Sequence, residues 1–326
     1  MEREMNRADD NVMYTPRTPR MRQRQQFALN APPETEEDFT GLKGLVGQWN
    51  IYAVSALFGF QSDDLQLKRY SKKLREEIAS TLPHENVSYE AKVLVMNDAY
   101  GLNKDHPAIK IEIVTTTNIE DSEKIIYRGI LLSWSTAHNY SSIQNSIRLP
   151  LLLCRGTQSC MNAAHDIIGR MFDCQIVALP ANEHDLNWLI PIIIMATDKE
   201  EQPILSGEVR MEYVVPELPV SDTITVTFDV VHLRKILLTI INDEVEETSV
   251  SLDHEHIEMF YEVLHQQMLA VGNLQLGLCM LRKIQLPGIT IIENKMKVMN
   301  VDIMNNVLLY FSDKALDLFH TMHIDI

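Results

Sequence analysis

The sequence predicts an α+β fold: two domains with mainly antiparallel sheets packed by helices, behind a disordered N-terminal tail. Three observations carry this. A helical pattern over 62–80 is followed by three alternating, β-rich runs separated by turn-forming segments. A strand–turn–helix–strand pattern occupies 149–179. After residue 200, strand runs and amphipathic helices share the rest of the chain. With 326 residues, 45% hydrophobic, the chain is long enough for a core that needs no metal or disulfide staple.

The elements follow in order. Residues 1–40 are polar, with "TPRTPRMRQRQQ" running into "NAPPETEEDF", and can bury too little to offset ordering entropy. Thr15 and Thr18 each precede proline, beside Arg17, Arg20, Arg22 and Arg24. Phosphorylation there would set negative charge among arginines, so the tail is read as regulatory. "QWNIYAVSALFGF" (48–60) is too short and too polar at its ends to cross a membrane, and reads as a buried strand. Ser62 or Asp63 caps the next helix, whose Leu67, Tyr70, Leu74 and Ile78 face the core.

Strands follow at 87–96, 108–117 and 124–134, then a strand at 149–154, a helix near 158–172, a strand at 174–179 and a buried helix in "EHDLNWLIPIIIMAT". The acidic link "DKEEQP" divides a first domain, 41–200, from a second, 201–326. The second holds strands at 204–215 and 223–230, helices at 231–242 and 253–270, and a meander over 273–286, 288–293 and 295–300. A final helix runs from about Asp302 to His320.

Charge and chemistry narrow the function. A net charge of −16 makes the whole chain a poor match for phosphate backbones, so nucleic-acid contact requires a local basic patch. Cys154, Cys160, Cys174 and Cys279 form no C-x-x-C pair and read as buried thiols of a reducing compartment. His254-Glu255-His256 lacks the one-turn spacing that lets two histidines share a metal. "LLLCRGTQSC" has one glycine and no lysine, short of a phosphate-binding loop. No catalytic residue, cofactor site or metal site is therefore assigned.

Two surfaces remain. On helix 62–80, Lys68, Lys72 and Arg75 share a face about 80–140° from Leu67, a candidate phosphate-tracking patch or an ordinary solvated face. In the last third, Leu274, Leu276, Leu278 and Met280 alternate along a run long enough to leave a strand edge unpaired. With Ile289 and Ile291 they are the candidate partner interface.

Two blocks resemble the centromere protein L family. The first is "GQWNIYAVSALFGFQSDDLQLKRYSKKL", carrying Gln48, Trp49, Tyr52, Leu57, Phe60, Tyr70 and Ser71. The second joins "LPLLLCRGTQS" to "MFDCQIVALPANEHDLNWLIPI", carrying Leu149, Pro150, Leu151, Gly156, Phe172, Asp173, Cys174, Leu186 and Trp188. The resemblance covers roughly 42–326 and is looser after 200. It implies curved sheets and a non-enzymatic subunit of the nuclear inner kinetochore that serves chromosome segregation. It implies pairing with centromere protein N through the C-terminal domain, and contact of the pair with centromere protein C, the H-I-K-M subcomplex, and the centromeric nucleosome and its DNA. A self-associating DNA clamp, or a structural protein outside the kinetochore, is the alternative.

Overall fold

A computed structural model of the chain describes residues 44–83, 87–96, 107–117, 123–134, 145–195, 206–219, 221–242, 252–301 and 303–322. The expected tail, with Thr15 and Thr18, and the 198–203 link lie outside the described residues.

The opening strand is the centre of the molecule. In β1 (Gly47–Val54), Trp49, Ile51 and Ala53 point to one face, and Tyr52 and Val54 pack against the other. That alternation places β1 between two hydrophobic layers, so both its faces are apolar. Along one edge it pairs with β7 (Leu151–Gly156); along the other, first with β13 (Lys295–Val298) and then with β8 (Ile176–Ala178). Every pairing is antiparallel. Beyond β7 come β5 (Glu123–Leu132), β4 (Ala108–Thr117) and β3 (Val87–Met96). Beyond β13 come β12 (Ile289–Ile292), β11 (Met280–Leu286), β9 (Glu208–Val214) and β10 (Thr223–Asp229). A small separate pairing joins β2 (Leu57–Phe58) to β6 (Ser146–Ile147).

Helices cover the sheet in two groups. On one face α1 (Asp64–Thr81) and α2 (Gln158–Phe172) cover the β3–β7 half, enclosing Ile111, Ile113, Tyr127 and Ile168. On the other face α3 (Glu183–Met195), α4 (Val230–Asn242), α5 (His254–Gly272) and α6 (Met304–Thr321) cover the β9–β13 half. This second core takes residues from both sides of position 200: Trp49, Leu153, Leu189 and Ile193 pack with Met211, Ile284, Ile291 and Phe311. Described strands and core residues from both sides of residue 200 thus share one sheet and one core.

Local chemistry sets the ends of these elements. Asp63 caps α1 by accepting from the Gln66 N–H at 3.2 Å. Asn182 and Asp185 cap α3 reciprocally, each side chain accepting from the other's backbone N–H. Asp185 also accepts from the Tyr310 hydroxyl at 2.9 Å and pairs with Lys314, tying α6 to the start of α3. Gly156 ends β7 at φ +154, where an added Cβ would stand 2.2 Å from the Ile126 carbonyl oxygen; only glycine fits.

The expected long strand over 273–286 is corrected. α5 continues to Gly272, and Asn273 closes it in the left-handed region at φ 52. A single 3-10 turn, Leu276–Leu278, precedes β11. β11 is paired on both edges, with β9 and β12, so the meander has no free edge. Its apolar residues were alternating across a helix cap and a tight turn, not along one strand.

Candidate partner-binding surfaces

The residues proposed for partner contact scatter. Ile289, Ile291 and Leu276 are at most 1% exposed and belong to the molecule's own core, which removes them from any contact surface. Leu274 is half-buried against the same core. Leu278 and Met280 are 69% and 52% exposed. Met280 lies opposite Val214 in the ladder, and Val214 lies opposite Thr223, so an apolar corner forms where β11, β9 and β10 meet.

The free edges among the described residues are elsewhere, at β3 and, beside the exposed Leu278 and Met280, at β10. β10 pairs with β9 on one side only, and no other strand among the described residues pairs with it. Its sequence, TITVTFD, is rich in β-branched residues and carries no lysine or proline to discourage addition of a strand. The Val230 N–H donates to the Gly207 carbonyl at 2.9 Å, one step past the register pair Asp229–Glu208. Hydrogen-bonded pairs alternate, so Ile224, Val226 and Phe228 bond to β9, while the backbone of Thr223, Thr225 and Thr227 points outward. Sequence reasoning missed this edge because the alternation that reveals a strand says nothing about which strands flank it.

The basic residues of α1 do share a face. Lys68, Lys72 and Arg75 are exposed and line a groove of about 540 Å³ between α1 and β3, with Lys92 from β3 added to them. The Ser71 hydroxyl accepts from the Val93 N–H at 2.9 Å, fixing the helix along that strand. The same groove holds Asp64 and Glu90, and Glu76 lies 3.9 Å from Lys72 and 3.8 Å from Arg75. These exposed pairs are weak and screened by salt, so the lysines can exchange partners readily. A second charged row crosses the sheet at Lys92, Glu112, Arg128 and Arg155, with Arg128 Nε 2.8 Å from Glu112 and the Arg155 guanidinium 4.9 Å from the Trp49 ring centroid. Each member comes from a different strand, so sequence spacing could not reveal it.

The buried titratable groups near α2 are held neutral. Burial pushes the thiols of Cys154, Cys160 and Cys174 up to about 12. It lowers His165 to about 4, with Asp166 opposing the shift. Cys154 Sγ lies 3.7 Å from His165 Nε2, but a thiol and a neutral imidazole make no thiolate nucleophile at neutral pH. Among the described residues no three His, Cys, Asp or Glu side chains gather to hold a metal. The lowered value of His165 has a consequence for stability. Its folded value lies below its unfolded one, so its contribution is present above about pH 6.5 and fades as pH falls toward about 4. Chemical unfolding at pH 7 and pH 4.5 should show a loss that His165→Leu reduces by about 2 kcal/mol. An equal acid loss in both proteins would show that His165 is not its source.

An antiparallel sheet ending in the open strands β10 and β3, with a cationic helix face and an apolar corner, defines a structural protein of the interaction-module class. The sequence matches the family model of centromere protein L over residues 45–316, and the chain belongs to that family. A search of curated proteins finds no match. The family consists of structural proteins of the kinetochore, so the chain has a centromeric structural role in chromosome segregation, as a member of a centromere protein complex.

Proposed function

We propose that the chain is a non-enzymatic scaffold of the inner kinetochore that pairs with centromere protein N and, with it, engages centromere protein C, the H-I-K-M subcomplex and the centromeric nucleosome. The observation that carries this is the free edge of β10 beside the exposed Met280 and Leu278. A strand added there would satisfy the outward N–H and C=O groups of Thr223, Thr225 and Thr227, with apolar cover at the corner. Lys68, Lys72, Arg75 and Lys92 supply the phosphate contacts of the assembled pair, consistent with a chain too acidic to bind DNA strongly alone. Phosphorylation of Thr15 or Thr18 belongs to the same proposal, as regulation of those contacts.

Light scattering on the purified chain, alone and mixed with centromere protein N, tests the pairing. One copy of each is the expected product. Separate elution of the two proteins, or a dimer of this chain that the mixture leaves intact, would overturn it. In the mixed sample, Lys68→Glu/Lys72→Glu should reduce the salt slope of duplex binding by about 2.

A further inference from the structure

A groove of about 1000 Å³ lies on the helical side of the C-terminal half. One wall is a single stripe of α5: His254, Ile257, Glu258, Tyr261, Glu262, His265 and Leu269, spaced three and four apart. The first turns of α3 form the other wall, with Glu183, His184, Asn187 and Trp188, and the 3-10 turn closes one end with Leu276 and Leu278. From His254 to Leu269 the groove is about 22 Å long at 1.5 Å per residue, room for a helical segment of about four turns.

Its chemistry is one-sided. The lining holds three carboxylates, Glu183, Glu258 and Glu262, and no lysine or arginine. Glu258 and Glu262 are exposed on the rim. Glu183 is half-buried and accepts from the Leu281 N–H at 2.9 Å. The apolar surface is aromatic and aliphatic: Trp188 stacks on His184 at 6.3 Å, and Leu269 and Leu278 are 44% and 69% exposed. The floor also holds two unsatisfied polar atoms. The Tyr261 hydroxyl and His265 Nε2 are buried with no hydrogen-bond partner among the described residues, although Tyr261 as a whole is only 7% exposed. A buried polar group without a partner is costly, and in a native protein such a group commonly awaits a ligand or a water.

We infer that this groove binds a short amphipathic segment of another protein, with apolar anchors for Leu269, Leu278 and Trp188 and arginine or lysine facing Glu258 and Glu262. Arginine suits the site twice over, pairing with the rim carboxylates and stacking on Trp188. The Tyr261 hydroxyl supplies a neutral hydrogen bond at the floor, since burial raises its pKa well above the ordinary value and keeps it protonated. The groove does not use the outward backbone of β10, although Leu278 lines it and also stands at the corner beside that edge.

Two labelled peptides of about twelve residues test it, identical in their leucines and one phenylalanine but with either arginine or glutamate at every polar position. Fluorescence anisotropy with the full chain should show binding of the arginine peptide only. Glu258→Lys/Glu262→Lys should weaken it at least about tenfold, and Leu278→Asp by a similar factor. Glu90→Lys/Glu123→Lys, an equal change of net charge on β3 and β5 in the other half of the sheet, should leave it within about twofold. Tyr261→Phe should fold normally and bind about threefold or more weakly. A chain with Thr225→Pro, altered in the β10 edge, should bind like wild type. Equal binding of both peptides, equal loss from the two charge reversals, or unchanged binding by both Leu278→Asp and Tyr261→Phe would overturn the inference.

Discussion

Trp49→Ala should cost about 3–5 kcal/mol of folding stability, the range of large aromatic deletions from cores. The residue is fully buried in the strand that both halves of the sheet share. Its indole N–H donates to the Leu45 carbonyl at 2.8 Å, and the Arg155 guanidinium lies 4.9 Å from its ring centroid. Gly47 sits at φ +129 with a hypothetical Cβ 3.0 Å from the same guanidinium, so the backbone there leaves room for arginine to reach the ring. Truncation opens a cavity between β7 and β13, strands that meet only through β1. A marginal protein has about 5–15 kcal/mol to lose, so the variant should unfold at much lower urea. Trp49→Phe keeps most of the volume but leaves the Leu45 carbonyl without its donor, and should fall between the two. A Trp49→Ala midpoint close to wild type would mean that β1 does not join the two halves.

Much of this architecture is legible in the residues. Helix α2 spans Gln158–Phe172, and β3 and β4 span Val87–Met96 and Ala108–Thr117, as their spacing predicts. Each has a clear period and a strong terminus: Asp173 in the left-handed region closes α2, and polar turn segments bound the strands. The run from Leu274 to Met280 misleads because leucine at every second position imitates a strand. The contrary signals were present in Gly272-Asn273, a helix-ending pair, and Gly277, which loosens the turn. Long-range pairing left no local trace. Trp49 opposes Met296 across nearly the whole chain, and nothing near either residue names the other. The same holds for the groove: the α5 stripe follows from helical spacing, but its meeting with His184 and Trp188 of α3 depends on how both helices lie on the sheet.

Replacing Thr225 and Thr227 with proline should abolish pairing with centromere protein N while leaving the chain folded. The design depends on the direction of two N–H groups. The Val230 N–H bonds inward to Gly207, and alternation turns the N–H groups of Thr225 and Thr227 away from β9. Proline at those sites therefore removes no bond of the native ladder, the circumstance in which edge strands tolerate it. Both threonines are exposed, so little packing is lost, and stability should change by about 1 kcal/mol or less. An incoming strand would lose two backbone donors and meet two rings, and affinity should fall by at least about 100-fold. Val226→Pro is the opposite control: its N–H bonds to β9, so it should destabilise the chain itself. Calorimetric titration against centromere protein N, with urea unfolding of each variant alone, separates the outcomes. If the double-proline chain binds as wild type does, the partner docks elsewhere, and the exposed Leu278 and Met280 would be the next surface to change.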